Sequence, residues 1–185
     1  MSVFPLDQLP SVTWHPNPRN THFGAPRSGG FPLHGACDLI VPAGTGVRAI
    51  QAGRIIRFYS FVTYSCADGA TTTWAMDVAH ERFMARYGEI SPNLPAGIRV
   101  GMDVEEGQTI ATVGIQCGGS MLHFELFDDP GRMSYLTEPD PKKYLYVAQG
   151  HYERRNDLLD PTFLLDRWSS ETPASWAWKA SSASG

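Results

Sequence analysis

Lysine is almost missing from this 185-residue chain: the first is Lys142, so the strand-forming region carries none. A lipoyl- or biotinyl-type carrier is thereby disfavoured, because glycine-bounded strand units of the kind found here become carriers only with an exposed lysine at a hairpin tip. Cysteine is scarce as well, with Cys37, Cys66 and Cys117 and no Cys-x-x-Cys pair. That usage argues against a disulfide scaffold, thiolate-held zinc and thioredoxin chemistry. All three read as small buried residues, and Cys66 and Cys117 would pair only in an oxidising compartment. Charged residues make up 18% of the chain, with a net charge of -4 and a pI near 5.8, so the clustered cations that neutralise nucleic-acid phosphates are wanting. No apolar run is long enough to span a membrane, and no basic segment precedes an apolar stretch at the N-terminus. The expectation is a chain made in the cytoplasm without a cleavable signal, acting in the periplasm or cell wall after non-classical delivery.

What the chain has in quantity is glycine and proline, 18 and 14 residues, beside 42% hydrophobic content. The balance favours short strands and many turns over long helices, in one domain spanning 1–185. Six prolines before position 33 predict an extended lead-in over 1–32. A β core is expected over 33–127, with strands at Asp38–Val41, Val47–Ile50, Gly53–Tyr59, Thr73–Ala79, Arg82–Gly88, Thr109–Gly114 and Met121–Phe127. A polar break covers Ser65–Thr71, and a tight bend falls at His80-Glu81. The remainder, 128–185, reads as an extension with a short helix starting at Asp160-Pro161, an N-cap acceptor followed by proline. Phe163, Leu164 and Trp168 are expected on its buried face, and Trp176 and Trp178 to anchor the tail. The predicted class is mainly β, a β-rich α+β fold of antiparallel sheets with an open groove and a short C-terminal helix.

Three residues stand out chemically. His34 and Asp38 lie four apart just ahead of a strand, and His123 sits within a strand that also carries Glu125. Two neutral imidazoles and a carboxylate suit a catalytic zinc, since they leave a fourth position for a water whose pKa falls to roughly 7. Each residue alone also has an ordinary reading: a loop histidine, a turn-former beside Gly35, a satisfied core histidine. Glu125 can orient His123 or face a neighbouring arginine. His15, His22 and His151 lack a partner motif, with His22 the nearest of them to the expected cleft.

The segment from His34 to Ile56 reads His-Gly-Ala-Cys-Asp, then Pro42-Ala-Gly-Thr-Gly-Val47-Arg-Ala49 and Gly53 before an apolar strand. It resembles the signature of the lysostaphin/LytM-type zinc metallopeptidases, which cut peptide cross-links of bacterial cell wall. Phe23-Gly24, the stretch from Val100 to Gly114 and Leu122-His-Phe-Glu-Leu126 resemble further blocks of the same family, in the family's order. The resemblance implies zinc on His34, Asp38 and His123. It also exposes two departures, because the family's two usual catalytic histidines fall here on Met121 and on Glu89, within Tyr87-Gly-Glu-Ile-Ser91. Glu89 becomes the candidate general base, and His80, at the hairpin bend, the next candidate. The implied partners are the peptide stems of peptidoglycan and, for an antibacterial secreted effector or a phage lysis factor, an immunity or delivery protein. The alternative is a zinc-binding but inactive wall-binding or hydrolase-activating module.

Overall fold

The computed structural model of the chain describes residues 2–27, 33–128, 144–147, 151–155 and 158–171. Its strands are β1 (Cys37–Ile40), β2 (Gly46–Arg48), β3 (Gly53–Cys66), β4 (Gly69–His80), β5 (Met84–Ile90), β6 (Asp103–Val104), β7 (Thr109–Thr112), β8 (Met121–Phe127), β9 (Tyr144–Val147), β10 (His151–Arg155) and β11 (Leu158–Leu159). A helix, α1 (Thr162–Ser170), follows. The main sheet has the order β1-β8-β5-β4-β3-β6, with β11 pairing the far end of β8, and its pairings are antiparallel. The pairs β2-β7 and β9-β10 form two small ribbons. The mainly β class with a short C-terminal helix is therefore the observed one.

Apolar side chains of the main sheet and the β2-β7 ribbon meet in one core that includes Leu39, Val47, Ile55, Tyr87, Ile110 and Leu122. The lead-in belongs to it. Phe4 and Leu6 are fully buried, Leu6 bridges Val47, and the Arg48 amide donates to the Pro5 carbonyl at 2.8 Å. The proline density that forbids helix here leaves an extended segment free to lie along β2. The lead-in also reaches α1, where the Trp14 indole donates to Asp166 at 2.9 Å.

Helix α1 starts at Thr162, with Pro161 in the cap position and the Asp160 carboxylate accepting from the Thr162 amide at 2.9 Å. Its buried residues are Leu165 and Trp168, one helical turn apart, whereas Phe163 is 74% exposed. The expectation for Phe163 is corrected: a three-residue step from Leu165 to Trp168 defines the inner stripe, and Phe163 lies off it. Trp176 and Trp178 fall outside the described residues.

The largest departure from the expected strands is the β3-β4 hairpin. The polar break expected over 65–71 is corrected: β3 runs on past Tyr59 to Cys66, β4 begins at Gly69, and the turn is Ala67-Asp68. Two bulges, between Ile55 and Arg57 and between Ser60 and Thr63, each give β3 one residue more than its partner. Such insertions bend a strand and increase its twist. Within the second bulge, Phe61 leaves its own strand pair to pack on His123 of β8, ring centroids 5.4 Å apart. Burial on β4 follows from the same arrangement. Thr73, Ala75 and Asp77 are buried along with Met76 and Val78, because both faces of the strand are covered.

Among the cysteines, Cys37 follows the expectation of a small buried residue, and Cys66 and Cys117 take the pairing that an oxidising compartment would allow. Cys37 is buried and free, and burial pushes its thiol up to about 11. Cys66, at the end of β3, is bonded to Cys117 in the β7-β8 loop.

Candidate metal centre and active site

Antiparallel register sets the first two candidate ligands side by side: Asp38 on β1 pairs with His123 on β8. His34, in the segment entering β1, is four residues earlier, and its backbone is tied at both ends to the loop at 24–25. The result is a triangle of donor atoms. Asp38 Oδ1 lies 2.9 Å from His123 Nδ1 and 3.1 Å from His34 Nε2, and the two nitrogens are 3.4 Å apart. Tetrahedral zinc with bonds of about 2.05 Å separates its ligand atoms by about 3.3 Å, so the triangle has the size this ion requires. Among the described residues these three form the cluster of metal-ligating side chains.

The outer nitrogen of each imidazole is already committed. His34 Nδ1 donates to the His22 carbonyl at 2.9 Å, which leaves Nε2 with the lone pair facing inward. His123 Nε2 donates to Glu125 at 3.0 Å, which turns Nδ1 inward. A carbonyl and a carboxylate can only accept, so both tautomers follow from chemistry. The Glu125 carboxylate is itself held by Arg86 at 2.9 Å, and the same guanidinium binds the fully buried Asp77 at 2.9 Å. Glu125 thus does both things its position allowed: it orients His123 and meets an arginine. His22 contributes through its backbone oxygen.

The electrostatics show what the cluster does with protons. Burial lowers His34 below its ordinary value, and Asp38 only partly offsets this. Burial would lower His123 too, but the Asp38 and Glu125 carboxylates overcome it and hold that imidazole up at about 9. Asp38, which burial alone would raise, is kept well below the usual carboxylate range by the two imidazoles that share its Oδ1. Without metal, His123 therefore holds a second proton, on Nδ1 towards Asp38, beside the one on Nε2 towards Glu125, while His34 stays neutral. The remaining Asp38 oxygen, Oδ2, accepts from Arg27 at 3.0 Å. Arg27 lies in the proline-rich lead-in, where no motif marked it.

Glu89 sits on β5, one residue beyond Gly88, the register partner of His123. Regular alternation would send its side chain to the opposite face. A bulge intervenes: Gly88 and Glu89 together oppose the single residue Ala75 of β4, and Glu89 takes a left-handed φ of 63°. For a residue with a long side chain this backbone costs about 1 kcal/mol or more, and such strain concentrates at functional sites. The Glu89 carbonyl accepts from the Gly114 amide at 2.9 Å. Glycine is required at 114, where a Cβ would stand 2.9 Å from the Ile90 carbonyl group, and at 88, where it would meet Phe61 at 2.8 Å. The Glu89 carboxylate is buried, and Oε1 accepts from the Tyr64 hydroxyl at 2.6 Å. Its other oxygen, Oε2, is buried without a partner. Burial and the Glu89 carboxylate raise the Tyr64 phenol, Asp38 raises it a little further and the Arg27 cation opposes the rise, so Tyr64 stands within the electrostatic reach of both groups.

His80 occupies a different place. Its Nδ1 donates to the Ala52 carbonyl at 3.2 Å, its Nε2 lies 3.3 Å from the Tyr87 hydroxyl, and burial lowers it to about 4. Its neighbour Ala79 pairs with Met84 and Met84 with Phe127, four residues from His123, or about 13 Å along the strand. The structure does not bring His80 to the ligand cluster. Met121, at the other departure, pairs with Ile40 at the start of β8. Beyond Glu89, a pocket of about 520 Å³ runs past Ile90 and is walled by Thr71, Thr73, Ser91, Asn93 and Val113.

Comparison with known proteins places this arrangement. The sequence model of peptidase family M23 matches residues 32–134, more than half of the chain. No match is found among curated proteins. Solved structures that resemble the chain include CbpA from L. salivarius REN, 18% identical over 93% of this chain and 99% of that one, with a TM-score of 0.52. Another is the antimicrobial peptidase lysostaphin from Staphylococcus simulans, 16% identical over 90% and 52%, with a TM-score of 0.50. A third is a zinc-containing peptidase from Vibrio cholerae, 23% identical over 70% and 38%, with a TM-score of 0.49. The chain thus spans about half the length of the lysostaphin chain and less of the Vibrio one. At these identities the likeness is one of fold, while the family match covers His34, Asp38, Glu89 and His123, and by that match the chain belongs to peptidase family M23.

Proposed function

We propose that the chain is a zinc-dependent endopeptidase that hydrolyses peptide cross-links of peptidoglycan, with the metal held by His34, Asp38 and His123. The observation that carries this reading is the convergence of three donor atoms at zinc-ligand spacing, with both imidazole tautomers fixed from outside. Bound there, zinc lowers the pKa of a coordinated water to about 7 and polarises the scissile carbonyl. The chain's own residues handle the rest. Glu89 accepts the proton of the attacking water at Oε2 and returns it to the leaving amine. Arg27 and Glu125 keep the ligands in place, Arg27 through Asp38 and Glu125 through His123. The pocket beyond Ile90, whose wall is largely apolar with Thr71, Thr73, Ser91 and Asn93 set into it, receives the neighbouring, uncharged part of an extended stem peptide. The Cys66–Cys117 disulfide favours work outside the reducing cytoplasm, as a delivered antibacterial protein or a lysis factor would perform.

A zinc-holding but inactive wall-binding module would need the ligands and not Glu89. A strained, buried carboxylate with one unpartnered oxygen is a cost that binding alone does not explain. Digestion of purified peptidoglycan with and without a chelator, with products identified by mass, tests the reading. Chelator-sensitive release of stem-peptide fragments is expected. Zinc binding without any fragment release would establish the inactive module instead.

A further inference from the structure

Resting on the reading of Glu89 as the proton acceptor, we infer that Tyr64 is a positioning residue that clamps this carboxylate, and that the Cys66–Cys117 disulfide holds the clamp closed. A carboxylate that moves protons between a water and an amine must offer one defined oxygen. In Glu89 that choice is made structurally: Oε1 is occupied by the Tyr64 hydroxyl at 2.6 Å, and Oε2 is buried with no partner. A phenol is well suited to the task. It donates one short hydrogen bond without carrying a charge that would neutralise the base.

Tyr64 reaches Glu89 from a strand that is not its neighbour. β3 pairs with β4 and β6, and β4 stands between it and β5. The contact exists because the hairpin bends at the Ser60–Thr63 bulge, laying Phe61 over Gly88 and His123 and carrying Tyr64 to Glu89. An outlying hairpin end of this sort, rich in Ser and Thr, has little apolar surface with which to hold its position. The disulfide supplies the missing restraint. Cys66 is two residues from Tyr64, and Cys117 lies in the loop leading into β8, the strand that carries His123. The bond therefore ties the strand bearing the clamp to the strand bearing a ligand.

The test uses the full chain loaded with zinc, and its metal-free form. Tyr64→Phe should keep the metal content and lower kcat about tenfold or more, with KM changed by no more than about twofold, since the lost bond positions the base and does not bind substrate. In metal-free protein made with carboxyl-labelled glutamate, the ¹³C signal that disappears in Glu89→Gln should move in Tyr64→Phe. Thr63→Val, which removes the neighbouring Thr63–Thr72 hydroxyl contact, should leave it in place. Should Tyr64→Phe loosen the hairpin, 3-fluorotyrosine at position 64 keeps its shape and should still shift that signal. The Cys66→Ser/Cys117→Ser variant should lower kcat in the same direction, and should add little when combined with Tyr64→Phe, because both act through one contact. Unchanged kcat in Tyr64→Phe beside a large loss in Glu89→Gln would overturn the clamp while sparing the base. Full activity of Glu89→Gln would overturn the reading beneath it. Additive losses would show that the disulfide acts elsewhere.

Discussion

The two halves of the centre are built in opposite ways. On β1 and β8, the ligand half is saturated: each donor of His34, Asp38 and His123 has a partner, and a chain of contacts runs on through Glu125 and Arg86 to Asp77. On β3 and β5, the half proposed to move protons is held in tension, with Glu89 in a left-handed backbone, one of its oxygens unpartnered, and Tyr64 delivered to the other by a bent hairpin. A metal needs its ligands fixed before it arrives, which regular register and a closed hydrogen-bond network provide. A base needs a lone pair that nothing else has satisfied. The contrast predicts that damage to the first half removes the metal, whereas damage to the second leaves it bound and idle.

The largest effects should come from the ligands. His34→Ala or His123→Ala should lose zinc, lose turnover to background and lower the melting temperature of the zinc-treated protein towards that of metal-free wild type, since binding to the native state alone stabilises it. Retained stoichiometric zinc in either variant would break the comparison at its root. Next comes Glu89→Gln, which keeps size and a hydrogen-bonding end but not basicity. It should retain zinc and cut turnover by roughly 10²-fold or more. Activity within a few-fold of wild type would place the proton elsewhere.

Legibility in the sequence divides along the same line. His34, Asp38 and His123 were visible because residue type and spacing carry the information, and because antiparallel pairing brings Asp38 opposite His123 with no unusual backbone. Glu89 was visible as a position, but the bulge that re-aims it was not, since a strand pattern carries no mark of where one residue too many will be absorbed. Tyr64 and Phe61 were missed with the hairpin end, whereas the pairing of Cys66 with Cys117 was weighed there and is present. The signal was there as aromatics continuing beyond Tyr59, yet the Ser- and Thr-rich alternation around them reads as a solvated break when no apolar face repeats. Arg27 had no local signal at all: it meets Asp38 only through the path of the lead-in. His80 was correctly seen at a bend, but the four-residue strand separation from His123 is a property of register that sequence does not show.

A smaller effect should follow from Glu125→Gln, which leaves His123 a hydrogen-bond partner but removes the negative charge behind it. Zinc affinity should fall by roughly 10- to 100-fold, the usual size of a change behind a metal ligand, with turnover at saturating zinc nearly restored. Competition against a chelating dye reads this directly. An affinity equal to wild type would mean that Arg86 and Asp77 hold the imidazole without Glu125.

The smallest expected effect is one of pH, and its sign follows from His123. In metal-free protein this imidazole is raised from its ordinary 6.5 to about 9. Its contribution to stability is then fully present below about 6.5 and is lost as the pH climbs through about 9. The other shifted groups act outside that window. His34 and His80 are lowered, so they matter below 6.5; Asp38 is depressed and stays ionised throughout; Cys37 starts from 9.0 and is raised. Metal-free protein should therefore melt at a lower temperature at pH 9 than at pH 6.5. Zinc uptake requires the same proton to leave Nδ1, so affinity strengthens with rising pH and the stabilisation by zinc grows across the window in which the metal-free form weakens. Melting curves at several pH values, with and without zinc, should accordingly diverge from pH 6.5 to about 9. Parallel curves would show that His123 holds no proton between Asp38 and Glu125, and that the ligand half is poised for metal without first having to release one.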